Sequence, residues 1–362
     1  MSIKLEREIR FMKGYVLEGK NIAKWHDDLP IPSFGSYGAL IKPVIVAACT
    51  SDVHLKQTAA MPIIIGKALG HEMAGIVEKV GSEVKDFKPG DRVVVTSNHP
   101  AWRSVEAQDG HPLTVNECHY FSDSPDRGGV FAEYYSVVDA DMTLAHIPDS
   151  VTWEQAVVIS DMTTTAFSGV EKLEIKYGDT IVILGIGPVG LTGICGAALK
   201  GAARIIAIGS RKKCAEIAKA YGANDIINYK DGEIVEQVLK LTGGKPVDGV
   251  LITGGNSDSI GKALQMVKQG GIVSNIAMYF EDSVSIPLEA LGFGINEKEL
   301  KVCQAKGGRN YAERLLSLVE NGRYNPELIV GPVFHGMEKV EHALDLMEKH
   351  DPSVVKPIVY FD

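Results

Sequence analysis

The chain has 362 residues, which is long enough for two domains rather than one small core. Its formal net charge of −9 provides no basic face, so neither nucleic acid nor an anionic membrane is an expected partner. No apolar run approaches the roughly 20 residues that a membrane-spanning helix requires. Residues 1–11 are too charged for a secretory signal peptide and are predicted to form a short N-terminal extension.

The five cysteines are scattered along the chain and odd in number. This pattern argues against a disulfide framework and favours a reducing compartment, so a cytoplasmic location is expected. A cysteine close to a histidine-rich segment is then a metal ligand or a core residue rather than part of a bridge.

The first third of the chain contains short strand-like runs separated by glycine and proline, which predicts a β-rich domain. Strands are predicted at 40–46, 74–80 and 91–95, after a first strand that begins near Met12. The segment 96–128 is polar and irregular, and we refer to it as the polar lobe. A connection of that length in a compact domain is typical of a lobe over a site or of a flexible loop.

Strands and helices alternate regularly from about residue 162 to residue 303, which predicts a parallel sheet with crossover helices. The predicted strands of the second half are 180–184, 204–208, 225–227, 248–253, 271–277 and 358–361, and the predicted helices are 191–200, 214–221, 233–241, 259–268, 311–321 and 337–349. The prediction is an α/β protein. A catalytic domain of residues 12–161 and 304–362 accompanies a doubly wound cofactor domain of residues 162–303.

A glycine-rich turn follows the first strand of the cofactor domain and opens its first helix. It has the form G-x-G-x-x-G, and in this context the motif is typical of a dinucleotide site, where the pyrophosphate approaches the helix N-terminus. A plain strand-to-helix turn is the alternative. The predicted cofactor-binding residues of this turn are Gly185, Gly187, Pro188, Val189 and Gly190.

The second strand of this domain ends in Gly209-Ser210-Arg211, without the Asp or Glu that an NAD site places against the ribose 2′-hydroxyl. Arg211 can instead donate bidentate, charge-assisted hydrogen bonds to a 2′-phosphate. The alternative is a solvated basic helix start. However, the helix dipole disfavours three consecutive cations, Arg211–Lys213, unless an anion is present. The sequence therefore predicts NADP(H) as the cofactor.

Three distant segments carry side chains that metal ions bind. Cys49 opens the stretch C-T-S-D-V-H, His71 and Glu72 precede a half-buried strand, and Asp161 lies just before the cofactor domain. A catalytic zinc ion takes three protein ligands and keeps one position open, and Cys49, His71 and Asp161 would supply S, N and O. The alternatives are a solvated turn at His71–Glu72 and ordinary core positions for the single residues.

Two motifs, G-H-E-M-A-G-I-V at 70–77 and V-G-S-E-V-K-D-F-K-P-G-D-R-V at 80–93, resemble the signature of zinc-dependent medium-chain alcohol dehydrogenases. The resemblance runs from Met12 to Asp362 and is strongest to the bacterial and protozoan NADP-dependent secondary-alcohol dehydrogenases. It implies a GroES-like β-rich catalytic domain, a Rossmann cofactor domain and hydride transfer between small secondary alcohols and ketones. It also implies a homotetramer.

The resemblance assigns roles to individual residues. Cys49, His71 and Asp161 would bind a catalytic zinc ion, and Glu72 would be a fourth or exchangeable ligand. The residues implied to contact the 2′-phosphate end of the cofactor are Gly209, Ser210, Arg211 and Tyr229.

A route for the proton of the alcohol is also expected. Ser51 would hydrogen-bond the substrate oxygen, and His54 would pass the proton onward through the cofactor ribose. Histidine suits this step because its ordinary pKa lies near the working pH. Asp52 is either a neighbour without a role or a helper.

The sequence departs from the family at two places. The polar lobe has Cys118 alone where many relatives carry four cysteines, so no structural zinc is expected. Residues 118–122 and 286–303 differ from the secondary-alcohol subgroup, which leaves the substrate open, and Trp102 and Tyr120 are the predicted pocket residues. A polyol, threonine or aldehyde-type dehydrogenase is the alternative within the superfamily, and a metal-free NADPH-binding protein is the alternative outside catalysis.

Overall fold

The structure is a computed structural model that describes residues 11–59, 61–113, 128–279 and 281–362. Most of the predicted N-terminal extension, residues 1–10, lies outside the described residues, and Phe11 already belongs to the first strand. The stretch 114–127 of the polar lobe, which includes Cys118 and Tyr120, also lies outside them.

The β-rich part of the chain consists of a two-stranded antiparallel ribbon and a larger sheet. Its strands are β1 (Phe11–Gly19), β2 (Ile22–Pro30), β3 (Ala39–Ala47), β4 (Met73–Val80), β5 (Arg92–Val95), β6 (Tyr135–Val137) and β7 (Leu144–His146). Its helices are α1 (Thr50–Thr58), α2 (Val105–Gln108), α3 (Ala140–Thr143), α4 (Trp153–Val158) and α5 (Thr164–Lys172). The predicted strands at 40–46, 74–80 and 91–95 correspond to β3, β4 and β5.

A six-stranded parallel sheet forms the second part of the chain. It contains β8 (Thr180–Leu184), β9 (Arg204–Ile208), β10 (Asp225–Ile227), β11 (Val247–Ile252), β12 (Val267–Asn275) and β13 (Glu299–Val302), with α6 (Pro188–Leu199), α7 (Lys212–Ala220), α8 (Ile234–Leu241) and α9 (Ser259–Met266). The spatial order is β10-β9-β8-β11-β12-β13, with parallel pairing throughout. This is the strand order of the dinucleotide-binding Rossmann fold, and its direction reverses beside β8. The predicted doubly wound sheet is therefore confirmed.

One predicted boundary in this sheet is wrong. The helix predicted at 259–268 ends at Met266, and β12 begins at Val267. The backbone of Val267 is already extended, with a φ of −78° and a ψ of 145°, so the helix cannot continue through it. The domain limits at residues 162 and 303 stay predictions.

The C-terminal segment returns to the first sheet. It contains α10 (Arg309–Glu320), β14 (Val330–His335), α11 (Lys339–Glu348) and β15 (Lys356–Tyr360). The main path of this sheet is β14-β15-β3-β4-β5-β7, and β6 pairs with β3. Because β15 lies antiparallel to β3, the start of the last strand is placed beside the segment that leads to Cys49.

The two sheets share a buried apolar cluster. This cluster contains Ile45 of the first sheet and Ile183 of the parallel sheet. Between them it includes Val157, Ile159 and Met162. A polar contact lies within this interface: the buried hydroxyl of Tyr324 is 3.3 Å from the hydroxyls of both Thr163 and Thr192. The segment around residues 157–163 is therefore held from both sides.

Within the described ranges, no helix combines the length and the apolar character needed to cross a bilayer. The cysteines in those ranges, Cys49, Cys195, Cys214 and Cys303, have free thiols.

Candidate metal and cofactor site

Four potential metal donors lie at the ends of different elements. Cys49 has extended backbone immediately before α1, and His71 and Glu72 immediately precede β4. Asp161 lies in a π-helical turn, Ile159–Thr163, that joins α4 to α5. Such turns are rare and are often found at functional sites, because the widened turn redirects a side chain.

The structure brings these four donors together. One ligand atom from each of Cys49, His71, Glu72 and Asp161 lies within 4.8 Å of every other. His71 Nε2 is 3.6 Å from both Glu72 Oε1 and Asp161 Oδ2. Ligands about 2.0–2.3 Å from a tetrahedral zinc ion are themselves roughly 3.3–3.8 Å apart, so the spacing suits one ion. His71 is 8% exposed and Glu72 is fully buried, so the solvated-turn alternative is wrong.

Asp52 orients the imidazole of His71. Its Oδ1 lies 3.0 Å from His71 Nδ1, and the carboxyl is fully buried. An ionised carboxylate only accepts hydrogen bonds, so Nδ1 carries a proton, and Nε2 faces the other donors. This carboxylate–histidine arrangement is common around metal ligands. The sequence alone predicts no definite role for Asp52, although its place between Cys49 and His54 is an available signal.

The two oxygens of Asp161 have different partners. The hydroxyls of Ser97 and Thr165 both donate to Oδ1, each at 2.8 Å, while Oδ2 faces His71. Burial alone would raise the pKa of Asp161, but its interactions with His71 and the charge of Lys356 outweigh burial and hold the pKa below its usual range. The carboxylate is therefore ionised and has one oxygen free to bind a cation.

Glu72 forms a buried ion pair that the sequence analysis missed. Lys356 Nζ donates to Glu72 Oε1 at 2.5 Å, and neither side chain is exposed. Burial raises the pKa of Glu72 to about 7, while the charge of Lys356 opposes that rise. For Lys356, burial alone would lower the pKa, but Glu72 together with Cys49 and Asp161 outweighs burial and raises it.

The second oxygen of Glu72 supports the fit of a metal ion. Oε2 is buried and has no hydrogen-bond partner among the described residues. A carboxylate oxygen in the interior is costly unless a donor or a cation contacts it. A dication among these donors would stabilise the ionised form. The donor set of thiolate, imidazole and carboxylates thus fits zinc.

The predicted proton-transfer residues lie on α1. Ser51 Oγ is 3.4 Å from His71 Nε2, the ring atom that faces the donors. His54 follows three residues later, so the two side chains share a helix face. Burial lowers the pKa of His54, and the nearby His350 lowers it further.

The glycine turn has the close packing that a pyrophosphate site requires. Gly185 follows β8 with a φ of 97°, a conformation that favours glycine. A Cβ added to Gly190 would lie 1.8 Å from the carbonyl oxygen of Gly185. Gly187 precedes α6, whose first turn contains Pro188 and Val189. The first backbone N–H groups of a helix are free to bind an anion.

The residues predicted for the 2′-phosphate end lie together after β9. The hydroxyl of Ser210 donates to Tyr229 OH at 3.1 Å. A Cβ on Gly209 would lie 2.0 Å from Ile186 of the glycine turn. Arg211 precedes α7, and one of its terminal nitrogens is 4.0 Å from the position of a Cβ on Gly187. The segment Gly209–Arg211 places no carboxylate where an NAD site needs one, so it suits NADP(H).

Arg211 also contacts the C-terminal segment. Its guanidinium donates to the carbonyl oxygen of Val354 at 2.9 Å, and Lys213 donates to that of Ser353 at 2.8 Å. From the sequence alone, Lys213 is only part of a basic run. Its proximity to Arg211 and Ser353 makes it a further candidate for the cofactor phosphate.

The two predicted pocket residues stay predictions, and the surroundings of one of them, Trp102, are described. Trp102 packs beside Gly308 and lines a small pocket. The other lining residues of that pocket are Tyr37, Arg103, Val138 and Asp139. Tyr120 lies outside the described residues.

Two family profiles match this chain. The profile described as "Alcohol dehydrogenase GroES-like domain" covers residues 35–149, and the one described as "Zinc-binding dehydrogenase" covers residues 188–321. The first profile covers strands β3 to β7, and the second covers strands β9 to β13 of the parallel sheet. Fold and profiles together define a zinc-binding dehydrogenase.

Comparison with similar proteins identifies the family within the zinc-binding dehydrogenases. An NADP-dependent isopropanol dehydrogenase of Clostridium beijerinckii is 46% identical over 96% of this chain and 99% of its own length. One of Thermoanaerobacter brockii is 44% identical with the same coverage. The solved alcohol dehydrogenase from Thermus sp. ATN1 superposes with a TM-score of 0.85 at 27% identity, covering 97% of this chain and all of that one. The chain therefore belongs to the zinc-dependent medium-chain alcohol dehydrogenases, which confirms the resemblance.

The packing of the glycine turn yields a testable prediction. In Gly190→Ala, the new Cβ would meet the backbone oxygen of Gly185, so the turn must open and NADPH binding should weaken by at least about ten-fold. The measurement is a titration of NADPH fluorescence. Gly19→Ala is the matched control, because no atom lies within 4 Å of a Cβ at that position. Unchanged NADPH affinity in Gly190→Ala would contradict this account of the turn.

Proposed function

We propose that the protein is a zinc-dependent, NADP(H)-linked dehydrogenase that interconverts small secondary alcohols and ketones. The observation that carries the proposal is the convergence of Cys49, His71, Glu72 and Asp161 within 4.8 Å. The isopropanol dehydrogenases named above support the substrate class, because they match almost the whole chain.

In this proposal Cys49, His71 and Asp161 hold the zinc ion, and Glu72 is an exchangeable ligand. When bound, zinc supplies Lewis-acid polarisation of a hydroxyl or carbonyl oxygen, and NADP(H) accepts or donates the hydride. Asp52 holds the ring of His71, and Ser97 holds Asp161, so the donors are oriented before an ion binds.

Ser51 and His54 would move the proton of the alcohol. The Ser51 hydroxyl lies beside His71 Nε2 and so borders the position where a substrate oxygen would dock. Because the pKa of His54 is lowered, its imidazole is neutral at pH 7 and can accept a proton. The helix that carries both residues begins directly after Cys49, which fixes their position relative to the donors.

The cofactor would lie across the carboxyl ends of the parallel strands, after β8 and β9. The glycine turn from Gly185 to Gly190 would bind the pyrophosphate at the start of α6. Ser210, Arg211 and Tyr229 would bind the 2′-phosphate, with Arg211 supplying the charge.

We also propose a homotetramer in a reducing, cytoplasmic compartment. Strand β13 is an edge strand of the parallel sheet and exposes Leu300 and Val302, and the nearby Phe293 and Ile295 are also exposed. An apolar edge of this kind favours association between subunits. Light scattering measures the assembly directly.

A steady-state screen tests the substrate class. Activity is measured with 2-propanol and acetone, with ethanol and acetaldehyde, and with a vicinal diol, each with both nicotinamide cofactors. The highest kcat/KM is expected for 2-propanol and acetone with NADP(H). A clear preference for the diol, or for NAD(H), would contradict the proposal.

Loss of one donor should remove the metal. Cys49→Ser replaces a thiolate with a neutral hydroxyl, so bound zinc should fall from about one ion per chain to near zero. Loss of a residue that only hydrogen-bonds to a metal ligand typically lowers activity by about 10–100-fold. Loss of the ligand itself should lower turnover further. Elemental analysis and acetone reduction measure the two effects, and Cys303→Ser is the control. Full zinc content with full activity in Cys49→Ser would refute this ligand.

Cofactor choice should depend on Arg211. Arg211→Asp replaces a cation with an anion beside the 2′-phosphate, so the KM for NADPH should rise by about 10–100-fold while the KM for NADH changes little. Lys219→Asp, near the other end of α7, makes the same charge change away from this site. If both variants shift the KM for NADPH equally, only net charge matters and Arg211 has no specific role.

The pH dependence of alcohol oxidation should report His54. Its folded-state pKa lies below the ordinary 6.5, so the proton-accepting neutral form persists above that lowered pKa and is lost as the pH falls through it. His54→Asn should lower kcat and remove this acidic limb. The measurement is kcat between about pH 5 and 9, with exposed His26→Asn as the control. An unaltered acidic limb in His54→Asn would show that another group titrates.

A further inference from the structure

The last strand brings a buried cation to the candidate metal site. Lys356 is the first residue of β15, and the amide of Ala48 donates to the carbonyl oxygen of Pro357 at 3.2 Å. This contact fixes Lys356 beside the segment that leads to Cys49. Its ammonium reaches Glu72 Oε1 at 2.5 Å, and both side chains are fully buried.

A count of the charges around a bound zinc ion shows why a buried cation is needed beside Glu72. The thiolate of Cys49 and the carboxylate of Asp161 balance the two charges of a zinc ion. Among the residues that the structure describes, the cation paired with the carboxylate of Glu72 is then the ammonium of Lys356. A buried ion pair contributes little to stability compared with apolar packing, whereas removing one partner leaves a costly uncompensated charge.

The oxygen that Lys356 holds is also one that faces the metal donors. Glu72 Oε1 lies 3.6 Å from His71 Nε2 and 2.5 Å from Lys356 Nζ. A cation among the donors and the ammonium of Lys356 would therefore compete for the same carboxylate. Without the ammonium, the metal would be the nearest cation to Glu72.

Building on the proposed zinc site, we propose that Lys356 is a positioning residue that holds Glu72 away from the metal and so keeps one coordination position available to the substrate. The carboxylate of Glu72 interacts with two cations, the metal and the ammonium of Lys356. The charge of Lys356 determines how often Glu72 coordinates the metal. Loss of the lysine charge converts an exchangeable carboxylate into a permanent ligand.

The test uses protein loaded with Co²⁺, whose visible absorption reports coordination, and imidazole as a small external ligand for the open position. In the unmodified protein, imidazole should change the cobalt spectrum. In Lys356→Met, the cobalt spectrum should be altered before imidazole is added, and the apparent imidazole affinity should fall by about ten-fold or more.

The double variant Lys356→Met/Glu72→Gln tests whether the effect acts through the charge of Glu72. It removes the competing carboxylate, so imidazole affinity should return to within about two-fold of the unmodified protein. Lys301→Met is the matched control, because Lys301 lies on β13 of the parallel sheet and forms ion pairs with the exposed carboxylates of Glu174 and Glu299. It should leave both spectrum and affinity unchanged.

Each outcome decides the proposal. Unchanged imidazole binding in Lys356→Met overturns it, and so does a double variant as impaired as the single one, since the lysine would then act only through packing. If Lys356→Met does not fold, Lys356→Gln keeps a hydrogen-bond donor without the charge and must show the same loss. If the unmodified protein does not bind Co²⁺, the proposed zinc site itself is refuted. If it binds Co²⁺ but Lys356→Met has no effect, only the role of Lys356 is refuted.

Discussion

The arrangement of the whole site depends on how negative charge is held in the protein interior. The thiol of Cys49 and the carboxyls of Glu72 and Asp161 lie within a few ångströms of one another, with Glu72 fully buried and the other two partly buried. Such groups repel one another and lose their hydration when ionised, so cations must offset the cost. Lys356 supplies one cation from within the chain, and a zinc ion would supply the other.

The pKa values of two carboxyls in this cluster shift in opposite directions, although Glu72 is fully buried and the Asp161 side chain is only 13% exposed. The pKa of Glu72 rises to about 7 because burial dominates over its lysine partner. The pKa of Asp161 falls because its interactions with His71 and Lys356, with a smaller contribution from the Ser97 hydroxyl, outweigh burial. Their different partners therefore help to separate a carboxylate suited to permanent coordination from one suited to exchange.

The C-terminal strand links the two halves of the site. The carbonyls of Ser353 and Val354 accept hydrogen bonds from Lys213 and Arg211 at the cofactor end. Two residues after Val354, Lys356 reaches the metal donors. One short segment thus supports the predicted phosphate-binding cations and the carboxylate beside the metal. The fold achieves this because β15 joins the first sheet after the chain has completed the parallel sheet.

The sequence by itself determined the features that depend on neighbouring residues: the alternation that predicts a parallel sheet, the glycine turn at 185–190 and the end of β9 without a carboxylate. Those signals are local, because strand and helix periodicity and turn chemistry act within one element. Only the tertiary structure decided which distant groups meet. Ser97 lies 64 positions from Asp161, and Lys356 lies 284 positions from Glu72. Neither contact can be read from local spacing. The position of Lys356 depends on the pairing of β15 with β3, and that of Asp161 depends on the π-helical turn.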